Sequence, residues 1–76
     1  MTRPEQLARL QEIFRDVLDQ PALHITEDFS PTDCPEWDSV ATVQIILATE
    51  ATFSIRVPVE TVAHLRNVRQ LLDLLP

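Results

Sequence analysis

Few side chains in this 76-residue sequence could take part in bond making. Nucleophilic catalysis needs a hydroxyl or thiol, a base within hydrogen-bond reach of it, and a group that orients the base. His24 and His64 are the only histidines, and no spacing links either to Ser39 or to Cys34. Cys34 stands between Asp33 and Pro35, where acidic surroundings disfavour the thiolate that a reactive cysteine needs. It reads as a small, half-buried loop residue, His24 as a solvated loop side chain, and His64 as partly exposed on a short helix. One cysteine excludes an internal disulfide and a multi-cysteine zinc site, so no metal is expected. What remains is Asp38-Ser39-Val40 at the opening of the most apolar stretch of the chain. Asp-Ser is a common helix start, so it gains meaning only from the elements around it.

Those elements are legible as helices. Thr2 and Glu5 have capping-box spacing, and Pro4 is tolerated in a first turn. Leu7, Leu10, Phe14, Val17 and Leu18 recur at steps of three and four, with Ile13 beside them, so a first helix ends near Leu18 or Asp19. Residues 19–37 read as a long loop broken by Pro21, Pro31 and Pro35 and pinned to the core by Leu23, Ile25 and Phe29. A short helical turn is expected near Ser30 to Cys34. Trp37 either anchors this loop on the core or waits for a partner. A second helix runs from an Asp38 cap to about Phe53. Its apolar residues cover more than one stripe: Ile45, Ala48 and Phe53 on one side, Val40, Val43, Leu47 and Ala51 on another. That fits a central helix packed on several neighbours, or one face in the core and an apolar edge offered to partners, and both can hold at once. Val59 to Leu65 has room for one or two helical turns. Asn67 and Gln70 resemble a second capping box before a last helix with Val68, Leu71, Leu72 and Leu75 as its stripe. No segment alternates convincingly as a strand. The expected fold is all-α, a small four-helix bundle in one domain over 1–76, with a long first loop and a short third helix. Without glycine, Asp19 or Gln20, and Ser54, must either end their helices in the left-handed conformation or end them differently, and loosely defined C-termini are expected.

Composition narrows the function. Twelve acids face six arginines and no lysine, for a net charge of −6. Such a chain has little with which to neutralise phosphates, so neither nucleic acid nor an anionic membrane surface is a partner. Residues 16–55 hold eight acids and no base, a solvated face or a docking surface for basic partners. The longest apolar run is Ile45 to Ala48, too short to span a bilayer, and the polar N-terminus lacks a signal-peptide stretch. A cytoplasmic monomer is expected, and a pocketed enzyme is not expected at this size.

In its order and spacing of motifs the chain resembles the acyl carrier proteins. The likeness rests on a first amphipathic helix and a long loop. Glu36-Trp37-Asp38-Ser39-Val40 follows, then Ala48-Thr49-Glu50-Ala51-Thr52-Phe53, Val57-Pro58, and a last helix bearing Val68. The resemblance implies a carrier, not an enzyme. Ser39 would receive 4′-phosphopantetheine covalently from coenzyme A, through a phosphopantetheinyl transferase that brings the magnesium. Asp38 would assist recognition. The arm would present an acyl thioester to acyl-activating or acyl-transfer enzymes and synthases of fatty-acid, polyketide or related biosynthesis. A phosphodiester at a first helical turn meets free backbone N–H groups and the positive end of the dipole. The second helix would be the handle, through Val40, Val43, Leu47 and Glu50, and Val43, Leu47, Val62 and His64 could line a space for the acyl chain. Glu36 replaces a glycine common in the family, Trp37 directly precedes Asp38, Val40 stands for leucine, and Gln44 and Ala51 replace acids. These departures imply a dedicated carrier of a specialised pathway. The alternative is an acidic helical interaction module without a prosthetic group, binding a basic partner.

Overall fold

Thr2 and Glu5 cap the first helix reciprocally. The Thr2 hydroxyl accepts from the Glu5 N–H at 3.3 Å, and the Glu5 carboxylate accepts from the Thr2 N–H at 3.1 Å. The computed structural model describes all 76 residues and contains helices but no strand. Helix α1 spans Arg3–Val17, a single 3-10 turn Pro31–Asp33, α2 Ser39–Phe53, α3 Val59–Ala63 and α4 Val68–Leu72. This is the expected four-helix arrangement, with α1 against α2 and α4, and α2 against α3. The α1 stripe puts Leu10, Phe14 and Leu18 into the core, where they meet Ala41, Ile45 and Ile46 of α2 and Val68, Leu71 and Leu72 of α4. Burying each of these larger side chains contributes about 1.5–3 kcal/mol. The first loop adds Ile25, Cys34 and Trp37, with Leu23 and Phe29 partly buried beside them.

Two polar side chains went unread in the sequence because their partners are only visible in the fold. Thr49 is wholly buried and returns its hydroxyl to the Ile45 carbonyl at 2.7 Å. Gln6 is buried with its amide donating to the Pro76 carbonyl at 2.6 Å. The expected box at α4 closes differently. Asn67 accepts from the Gln70 N–H at 3.1 Å, but the Gln70 side chain reaches back to the N–H of Arg66, not of Asn67.

Asp19 and Ser54 take the left-handed conformation, with φ of 54° and 55°. The helix ends are nevertheless closed, contrary to the loose ends expected. Gln20 donates to the Arg15 carbonyl at 3.0 Å and Ile55 to the Glu50 carbonyl at 3.2 Å, the six-to-one bond of a Schellman end. The backbone satisfies its own carbonyls and leaves only the left-handed strain as cost. Ser54→Gly is expected to raise stability by roughly 1 kcal/mol, read as a higher urea midpoint at unchanged slope.

The acidic middle of the chain is partly neutralised within the fold. Glu27 accepts from Arg3 at 2.9 Å and pairs with Arg69 at 3.3 Å; Arg69 also reaches Asp28 at 2.8 Å, and Arg3 reaches Asp73 at 3.0 Å. Alongside, Val68 and Arg69 donate their N–H groups to the carbonyls of Phe29 and Glu27 at 3.0 and 2.9 Å. The loop thus supplies the acceptors that the start of α4 lacks. Hydrogen bonds from Arg3 chiefly hold the Glu27 carboxyl below its ordinary 4.5. The unfolded chain therefore binds the proton first. This contribution is whole above about pH 5 and lost as pH falls through the folded value. Glu27→Gln is expected to flatten the dependence of the urea midpoint on pH between about 5 and 3.

Candidate functional site

Asp38 caps α2 with extended backbone, and its Oδ1 accepts from the Ala41 N–H at 2.8 Å. Its carbonyl accepts twice from Thr42, from the N–H at 2.9 Å and from the hydroxyl at 3.0 Å. Ser39 is the first helical residue, and Asp38, Ser39 and Val40 are all exposed. The N–H groups of Ser39 and Val40 have no acceptor within the chain. They contrast with the start of α4, whose donors the loop consumes. A fifteen-residue helix thus points its positive end and two free donors at the surface beside an accessible hydroxyl. These residues fit a phosphodiester on Ser39: an exposed oxygen to esterify, and donors for the phosphate oxygens.

Trp37 is the anchor rather than a free contact. It is buried, stacked on Phe29 with ring centres 5.6 Å apart, and edge-on to Phe14 at 5.0 Å. Its indole N–H donates to the Thr42 hydroxyl at 2.9 Å. Thr42 is the residue that sequence reading missed. A threonine four residues after a cap gives only a weak signal until the tryptophan is seen above it.

Cys34 is buried rather than half-buried, because its side chain faces the core beneath the 3-10 turn. Burial pushes its thiol up, and a hydrogen bond to Glu36 at 3.2 Å adds to that. The same contact is the main cause of the low Glu36 carboxyl. Asp33, Glu36 and Asp38 have no arginine within salt-bridge distance, so the approach to Ser39 is negative. His24 and His64 are both exposed.

Along α2, Ala41, Ile45, Ile46 and Thr49 face the core, while Ala48 and Phe53 are half-buried. Val40, Val43 and Leu47 lie on the opposite side, 65%, 48% and 59% exposed. They form one apolar edge starting beside Ser39 and continuing to the exposed Ala51. Glu50 is half-buried, and its carboxylate accepts from the Val57 N–H at 2.8 Å, tying the end of α2 to the loop before α3. The structure does not bring Val43, Leu47 and Val62 around a cavity. Val62 packs toward the core, the two α2 residues point outward, and none of the four surface hollows is lined by any of them.

The chain matches the family model of the phosphopantetheine attachment site over residues 8–75. It is also 30% identical over 73 residues to an acyl carrier protein of Acidothermus cellulolyticus, covering 96% of this chain and 87% of that protein. No solved structure matches it. No helix is long and apolar enough to cross a membrane. A family model spanning most of the chain, and a relative at this identity matched over most of its own length, make it a carrier of phosphopantetheine and not a catalyst. The all-helical protein belongs to the acyl carrier protein family.

Proposed function

We propose that Ser39 is the attachment residue and that the protein carries an acyl intermediate as a monomeric, cytoplasmic, single-domain carrier of a specialised pathway. The observation that carries this reading is the exposed Ser39 hydroxyl at the head of α2, beside two backbone N–H groups without acceptors. In the transfer, Ser39 Oγ forms a new bond to the β-phosphorus of coenzyme A. The diphosphate bond breaks, adenosine 3′,5′-bisphosphate leaves, and the Ser39 proton passes to a base on the transferase. When bound, the group supplies a terminal thiol that holds cargo as a thioester. Asp38 keeps the first turn closed, and the N–H groups of Ser39 and Val40 face the phosphate side.

Partners dock on the edge of Val40, Val43 and Leu47. The only charged side chain of α2, Glu50, is engaged by Val57 and shapes the end of that edge instead of offering free charge. Docking on α2 is therefore chiefly apolar, with Asp33, Glu36 and Asp38 steering basic partners toward its head. The test is intact mass after incubation with coenzyme A, magnesium and a broad-specificity phosphopantetheinyl transferase. A gain of one phosphopantetheine, followed by thioester loading from an acyl-activating enzyme, is the expected result. No gain with several transferases would overturn the assignment.

A further inference from the structure

We infer that Trp37 and Thr42 are positioning residues for the modification of Ser39, acting through a hydrogen-bond chain from the indole to the Asp38 carbonyl. The inference rests on the reading of Ser39 as the attachment residue. A buried indole N–H requires an acceptor, and the Thr42 hydroxyl at 2.9 Å is the one it has. A hydroxyl carries one proton. With its lone pair engaged by Trp37, Thr42 directs that proton to the Asp38 carbonyl at 3.0 Å. This carbonyl belongs to the peptide plane whose nitrogen is that of Ser39. Its orientation therefore sets where the Ser39 side chain leaves the backbone.

The other end of the chain is rigid. Trp37 is held by Phe29 of the first loop and by Phe14 of α1, and those two rings meet each other at 6.0 Å. A first helical turn otherwise frays, because only its last N–H groups are bonded within the helix. Here the turn is clamped twice, by the Asp38 carboxylate on Ala41 and by the Thr42 hydroxyl on Asp38. An in-line phosphoryl transfer depends steeply on where the attacking oxygen sits, so loss of the second clamp slows the reaction without removing any reacting group.

The experiment measures kcat/KM of a phosphopantetheinyl transferase for the carrier at saturating coenzyme A, with urea midpoints in parallel. Thr42→Val keeps the shape and removes the hydroxyl; its kcat/KM should fall about tenfold. Thr42→Ser restores the hydroxyl and the parental rate. Trp37→Phe combined with Thr42→Val should be no slower than Thr42→Val alone, because both act through one chain. Val68→Ala, in the core of α4, should lower the urea midpoint and leave the rate parental. A parental rate for Thr42→Val, a slow Thr42→Ser, a further slowing in the double variant or an equally slow Val68→Ala would each overturn the positioning role. Failure of the site assignment reads differently: Ser39→Ala in the same assay would still take up the group, or the parent would not.

Discussion

Ser39→Ala is expected to gain no phosphopantetheine under conditions that convert the parent completely, and to keep the parental helix signal and urea midpoint. The first effect is total because the substitution removes the attacking oxygen itself. The second follows from position. Ser39 is exposed, and the cap of α2 is made by the Asp38 side chain on Ala41, which the substitution leaves in place. Alanine is also the better helix former, so the stability change should stay within about 0.5 kcal/mol. The other two serines are poorer acceptors of the group. Ser30 spends its hydroxyl on Thr32 and Asp33. Ser54 follows the C-terminus of α2, where the negative end of the dipole opposes a phosphate. Intact mass and peptide mapping check the expectation. Uptake by the alanine variant would transfer the site to another hydroxyl. An unmodified parent would favour an interaction module without a prosthetic group.

How much of this was readable before the fold depended on the range of the interactions. Helix α1, the α2 cap and the α4 stripe are written in residues three and four apart, and periodicity finds them. The left-handed Asp19 and Ser54 are one of two readings open once the helix ends lack glycine, the other being an end of a different kind. The grouping of Val40, Val43 and Leu47 on one side of α2 was also legible from their helical steps, but whether that side is packed or open is settled only by the fold. What sequence hides is the partner of a polar side chain. Glu50 looks like surface charge until Val57 folds back onto it. Glu27 and Asp28 look like part of an uncompensated field until Arg3 and Arg69 arrive from the two ends of the chain. Trp37 reads as an anchor ahead of a partner contact because large aromatics are usually buried, but what it anchors to is hidden until Phe14, from α1, closes the aromatic cluster beneath it. Each of these contacts joins residues on different elements, which the periodicity within one helix does not record.

Leu47→Asp and Val43→Asp are expected to leave the bundle folded and to lower kcat/KM about 10- to 100-fold for transferase modification and for acyl loading. Both side chains are about half exposed or more and contribute little to the core, so the stability cost is near the helix-propensity difference of about 0.5 kcal/mol. Docking is affected far more. An apolar contact formed around Leu47 excludes water, and a carboxylate placed there must be desolvated without a partner. Nothing else on α2 compensates, since its single native charge, Glu50, is itself negative. Val43→Ala removes contact area without adding charge and should weaken docking by less. Arg9→Asp, on exposed α1 surface and outside any ion pair, should leave both reactions unchanged, although it makes the protein more acidic. An equal loss in all three aspartate variants, Arg9→Asp included, with Val43→Ala parental, would mean that net charge governs encounter. Parental loading of Leu47→Asp would move the docking surface off α2. A selective loss at positions 43 and 47 identifies the apolar edge beside Ser39 as the surface that brings the attachment site to its enzymes.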